Sequence, residues 1–267
     1  MEELSIVGSS RILAVANQKG GVGKTTTTIN LATALAAVGK SVLIIDIDPQ
    51  GNASTGLGVD RFNRELNVYD VIMGDISMDE AICPSVIPNL DLVPSTPDLT
   101  GAELELIEMD RRSHRLVEAI APIQERYDYI LIDCPPSLNL LTLNALVAVQ
   151  AVIVPLQCEF FALEGLSLLI KTIERVRNTL NAKLDIQGVV LTMYDKRNKL
   201  SDQVAQDVRD YLGDKVYETV IPRNVRVSEA PSHGKPVLIY DHRCAGSQAY
   251  IKLASELIRR EKRLHAA

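Results

Sequence analysis

Tryptophan is absent from this 267-residue chain, aromatic residues make up only 4% of it, and cysteine occurs four times. The cysteines (Cys83, Cys134, Cys158 and Cys244) show no CxxC spacing and no paired histidine pattern. That argues against a zinc site or a disulfide framework and reads them as buried or incidental thiols in a reducing cytosol. The opening MEELSIVGSS carries neither the basic start nor the apolar run of a secretory signal. Repeats, low-complexity tracts and Gly/Ser linkers are missing too. One long uncharged stretch, Cys134 to Cys158, is interrupted by Pro135, Pro136, Asn139, Thr142, Asn144, Gln150 and Pro155. A buried helix followed by a buried strand accounts for it better than a membrane span. Positive charge is also in the minority: the net charge of −6 argues against a generally basic nucleic-acid binder. From Ile170 onward, however, 18 Lys and Arg face 12 Asp and Glu, against 10 and 22 in the rest. Such a basic carboxyl-terminal region suits a polyanionic partner, or merely solvates helix faces.

What is present is globular: 46% apolar and 23% charged residues, at a length that suits one large α/β domain. The expectation is a single domain over 1–267, with 1–10 as a flexible amino-terminal arm. Short β-branched runs at 11–16, 41–46, 90–94, 129–133, 151–155, 187–193 and 217–221 read as strands. Helical patterns at 24–38, 101–126, 139–149, 165–180, 201–211 and 248–263 alternate with them. That alternation predicts a doubly wound, mostly parallel sheet with helices on both faces. Ligands of such folds bind at the carboxyl ends of the strands.

The motifs fall at those ends. After the first strand comes Lys19-Gly20-Gly21-Val22-Gly23-Lys24-Thr25-Thr26. Its glycines let successive N–H groups curl toward a phosphate chain, and the following helix adds the positive end of its dipole. Lys24 is placed to meet the β- and γ-phosphates, and the Thr25 hydroxyl to ligate Mg²⁺. One departure stands out. The usual P-loop begins with glycine where this chain has Gln18, and a second lysine, Lys19, precedes the paired glycines. The second strand ends in Asp46, followed by Asp48, which alternation puts on the same side. Asp46 is expected in the Mg²⁺ hydration shell, and Asp48 to orient or deprotonate the attacking water. Both could instead cap the following turn. Asp133 ends the buried strand 129–133, the Walker-B position that holds Mg²⁺ through water.

Together, KGGVGKTT, IDIDPQGN and IDCPPS resemble the deviant-Walker-A ATPases of the ParA/Soj and MinD group, along nearly the whole chain from Arg11 to about Lys262. VPLQCEFFALEGL, GVVLTMYDKRN and IPRNVRVSEAPSHGKPV are similar to the chromosome-partitioning ParA/Soj branch. The resemblance implies a slow ATPase with ATP and Mg²⁺ as cofactors. It gives Lys19 the role of reaching across a homodimer interface to the other subunit's phosphates, so that ATP is sandwiched between two chains. It places adenine near Met193, Pro222 and Arg223. It implies non-specific binding of double-stranded DNA through Arg197 and Arg226, and release when a ParB-type centromere-binding protein stimulates hydrolysis. Apart from the resemblance, the bases Lys196, Lys199 and Arg175 could join that surface. The location so implied is cytoplasmic and nucleoid-associated.

The rival reading is a MinD-like membrane-cycling ATPase, which needs an amphipathic tail lying in the bilayer surface. Residues Ile251, Ala254, Leu257 and Ile258 suit packing against the sheet instead, and no bulky aromatic follows them. Iron–sulfur relatives of the fold need paired cysteines, which are lacking here. No membrane partner is therefore expected.

Overall fold

Seven strands, β1 (Arg11–Val15), β2 (Val42–Asp46), β3 (Cys83–Pro84), β4 (Leu90–Val93), β5 (Tyr129–Asp133), β6 (Ala151–Gln157) and β7 (Asp185–Thr192), form one sheet in the order β3-β4-β2-β5-β1-β6-β7. The computed structural model describes residues 10–266. Of the expected amino-terminal arm, residues 1–9 lie outside the described residues, and Ser10 is buried. All pairings are parallel except that of β3 with β4. β2 and β5 are buried at every position, as strands covered on both faces must be.

Each face carries its own core. On one side, the Lys24–Ala37 and Ala245–Ala266 helices pack Leu31, Leu35, Leu253 and Leu257 against Leu13, Ile44 and Leu131. On the other, the Leu140–Ala148, Ala162–Thr179 and Lys199–Leu212 helices cover Ile45, Ile132 and Val154. Each fully buried aliphatic side chain contributes about 1.5–3 kcal/mol. Asn139 caps its helix by accepting from Thr142 N at 3.0 Å, and Asn198 does the same from Leu200 N at 3.0 Å. Among the described residues, no helix is long and apolar enough to cross a membrane.

Two elements differ from the sequence expectation. Residues 217–221 form no strand. Tyr217 N and Ile221 N do reach Val189 O and Leu191 O on β7, at 2.9 and 2.8 Å. Between them, Glu218 N and Thr219 N donate to the Glu256 carboxylate, both at 2.9 Å, and the ladder is broken. The expected 101–126 helix is two short ones, Leu99–Glu105 and Arg115–Ile120. Between them Arg111 takes a left-handed φ of 54°. The buried Asn144 side chain holds this break, donating to Arg112 O at 2.7 Å and accepting from Leu116 N at 3.3 Å. The short β3 and the short helices at Asn52–Gly56, Val68–Met73 and Val225–Glu229 lack a long enough period to be read from sequence.

Candidate functional site

β1 is an interior strand, flanked by β5 and β6, so the chain leaving it emerges in the crevice at the carboxyl edge. There Gly21 and Gly23 take φ values of 74° and 88°, which L side chains rarely adopt. Gly23 caps the Lys24–Ala37 helix without any side-chain hydrogen bond, so the first-turn N–H groups face outward. Two side chains outside the motif fix the loop. Asn17 donates to Pro155 O at 2.8 Å and accepts from Lys19 N at 3.0 Å. Thr192 at the end of β7 donates to Val22 O at 2.7 Å. Neither is visible in sequence, because each is a lone polar residue with no spacing to mark it.

The two lysines are separated by their surroundings. Lys24 is buried, with Nζ donating back to Lys19 O at 3.1 Å. Burial pulls its ammonium below the ordinary lysine value, and the charges of Asp133 and Asp48 act against that. Lys19 is partly exposed, with Nζ 2.5 Å from Glu159 Oε2 just after β6.

Strand register brings the acids together. Asp46 and Asp133 are direct partners across β2 and β5. Both are fully buried, and both carboxyls are pushed above the usual range, Asp133 first by burial and then by the charge of Asp46. Asp46 is held from behind: Ser54 N and Ser54 Oγ donate to it at 2.9 and 2.7 Å, and Asp48 N at 3.2 Å. Asp133 Oδ1 accepts from Thr28 Oγ1 at 2.9 Å, whereas Asp133 Oδ2 is buried with no partner. Asp48 differs from both in lining the cavity itself.

That cavity, of about 550 Å³, is walled by Gly20, Gly21, Gly23, Lys24, Thr25 and Thr26 on one side. Asp48 also lines it, together with Met193, Pro222 and Arg223. The three residues assigned to adenine are thus brought to the same space as the glycine loop, although some 170 to 200 positions separate them from it in the chain. Met193 has a left-handed φ of 48° as the chain leaves β7. Tyr250 and Asn224 are among the further lining residues that were not expected. A larger groove of about 840 Å³ shares Pro222 and Arg223 and is lined by Lys196, Arg197 and Lys252.

The residues suit a magnesium nucleotide. Thr25, Asp46 and Asp133 supply hard oxygen donors, and the orphaned Asp133 oxygen with two desolvated carboxyls calls for a cation. Among the described residues no group of three or more His, Cys, Asp or Glu forms a ready-made cage. Mg²⁺ keeps several waters and takes one or two carboxylates with substrate phosphate, a demand that Asp46 and Asp133 can meet.

Arg197 and Arg226 lie outside this cavity, on the surface. Arg197 makes a two-pronged pair with Asp195, at 2.9 and 2.8 Å, and its side chain is 88% exposed. Arg226 pairs with Glu229 at 3.0 Å and lies 3.7 Å from Asp241. Its helix neighbours Val227 and Ser228 line the cavity, so one short helix joins the two surfaces.

Comparison with known proteins agrees with this geometry. The AAA domain family matches residues 10–186. The chromosome partitioning protein ParA of Caulobacter vibrioides is 64% identical over 254 residues, covering 94% of this chain and 95% of that protein. The sporulation initiation inhibitor protein Soj of Bacillus subtilis is 53% identical, covering 92% and 98%. Among solved structures, cobyrinic acid a,c-diamide synthase from Mycobacterium smegmatis, with bound ATP analog and magnesium, superposes with a TM-score of 0.84 at 38% identity, covering 95% and 96%. With this glycine loop, these paired acids and near-complete coverage of the relatives, the chain belongs to the ParA/Soj family of chromosome-partitioning ATPases.

Proposed function

We propose that this protein is an ATP-driven switch for DNA segregation. It binds ATP with Mg²⁺ in the Gly20–Thr26 cradle and dimerises across that face with nucleotide sandwiched between subunits. The dimer holds double-stranded DNA without sequence preference. Lys24 grips the β- and γ-phosphates, and Lys19 reaches the partner's phosphates. Thr25, Asp46 and Asp133 hold Mg²⁺, and Asp48 positions the attacking water; Met193, Pro222 and Arg223 seat the adenine. When bound, the metal neutralises charge developing on the transferred phosphoryl group. Arg197 and Arg226 contribute to the DNA surface, and a ParB-type centromere-binding protein stimulates hydrolysis and release. The protein then cycles between cytoplasm and nucleoid.

The observation that carries this reading is one cavity lined by the glycine loop, Lys24 and Asp48, with Lys19 next in the chain to its lining residue Gly20 and paired with a half-exposed Glu159. A lysine that meets a triphosphate but not a diphosphate supplies the difference in affinity that any nucleotide switch needs. The tail gives no support to the membrane reading: Ala254 and Leu257 are buried against the Lys24–Ala37 helix.

The test is DNA retention with ATP, with ADP and without nucleotide, across a salt series. ATP-dependent retention that weakens steeply with salt is expected. Binding to anionic vesicles without DNA retention would replace this reading with the membrane one.

A further inference from the structure

The turn that carries Asp48 is held by a side chain from outside every motif. Asp48 O accepts from Gly51 N at 2.8 Å and Asp48 Oδ1 from Gln50 N at 3.0 Å, which closes the turn on itself. The short Asn52–Gly56 helix follows, and its Ser54 holds Asp46. Over this segment lies Arg64, only 5% exposed although it follows an exposed turn at Arg61–Asn63. Its Nη1 donates to Gly51 O at 3.3 Å and Ser95 O at 2.9 Å. Its Nη2 donates to Thr55 Oγ1 and Val59 O, both at 2.8 Å. One guanidinium therefore ties the end of the Asp48 turn, the short helix, the chain beyond it and the segment just after β4.

The fit is close on both sides. Gly51 has φ 59°, and a Cβ there would stand 2.3 Å from Arg64 Nη1 and 2.9 Å from Ser95 O. Ser95 N in turn donates to Ser54 Oγ at 3.1 Å, so the Arg64 and Asp46 networks meet at one residue. All four acceptors of Arg64 are neutral oxygens. For stability alone, apolar packing would serve as well as a desolvated cation. A planar fork with fixed donor directions does something apolar packing cannot: it sets the orientation of several carbonyls at once.

The geometry points to Arg64 as a positioning residue for hydrolysis, one that fixes the Asp48 turn against β4 without touching nucleotide. This rests on the role given above to Asp48. Arg64 does not line the cavity, so its loss should spare binding and slow the chemical step. A displacement of about 1 Å at a reacting group costs about a hundredfold in rate.

The experiment measures MgATP affinity, single-turnover ATP hydrolysis and thermal unfolding for Asp48→Ala, Arg64→Met, Arg64→Lys and the Asp48→Ala/Arg64→Met double variant. For Arg64→Met the expected result is hydrolysis slowed about a hundredfold with affinity changed by less than about threefold. Arg64→Lys, which keeps one donor group, should recover part of the rate. The double variant should be no slower than Asp48→Ala alone, because both changes remove the same positioned group. Should Arg64→Met not fold, Arg64→Lys and Thr55→Val carry the test, and each should slow hydrolysis at near-normal affinity. Normal hydrolysis in the Arg64 variants beside an inactive Asp48→Ala overturns the inference alone. Affinity and rate falling together, or full additivity in the double variant, also overturns it. Normal hydrolysis by Asp48→Ala would instead remove the Asp48 role itself.

Discussion

Replacing Glu159 by glutamine should make this protein dimerise at lower concentration in the presence of ATP. Lys19 Nζ lies 2.5 Å from Glu159 Oε2, with side chains 39% and 47% exposed. If Lys19 must leave this contact to reach a partner's phosphates, each protomer breaks one such pair on association. Pairs exposed to this extent are worth about 0.2–1 kcal/mol after solvent screening. A dimer breaks two, so removing them favours association by about 0.4–2 kcal/mol, or about 2- to 30-fold in the dimer constant. Sedimentation velocity or light scattering with MgATP, over a protein concentration series, reads this directly. The gain should shrink in high salt, where the wild-type pair is already screened. ADP should produce no comparable shift, since it offers Lys19 no γ-phosphate. A Glu159→Gln protein that dimerises less readily than wild type would refute the reasoning and make Glu159 part of the interface itself.

Gly51→Ala should lower stability by at least about 2 kcal/mol in denaturant titrations, because the left-handed backbone alone costs about 1–2 kcal/mol and the Cβ meets Arg64 and Ser95. A value near zero would mean the Asp48 turn is not clamped. Burial pushes the Glu256 carboxyl up, but hydrogen bonds from Thr219 and Glu218 and the charge of Arg260 outweigh it and leave it below the usual 4.5. Its contribution to stability is therefore complete above that pH and is lost as pH falls through the lower, folded value. Stability-against-pH curves should show that loss in wild type and a flatter acid limb in Glu256→Gln. Arg226→Gln, which removes charge without setting a new carboxylate against Glu229 and Asp241, should weaken DNA retention and reduce its salt dependence. Dimer formation measured alongside should be unchanged; its loss would place Arg226 in the dimer contact.

Much of this protein was legible in the chain alone. Apolar strands ending in Asp46 and Asp133, and glycines set just before Lys24, follow from local rules: alternation along strands, backbone freedom at glycine, and the charge of a helix start. These fix the fold class and the ends at which chemistry gathers. Local rules fail where a distant side chain takes over the backbone. Glu256 breaks the expected strand at 217–221, and Asn144 breaks the expected helix at 101–126. The family resemblance supplied Met193, Pro222 and Arg223, but only the folded chain puts them across one cavity from the glycine loop. Tertiary structure likewise gave each acid its own surroundings. Register set Asp46 against Asp133, Ser54 holds Asp46 by two hydrogen bonds, and Asp48 alone of the three lines the cavity. The physical reason is range: propensity and periodicity act over a few residues, whereas burial, strand register and side-chain hydrogen bonds are settled by whatever the fold brings alongside.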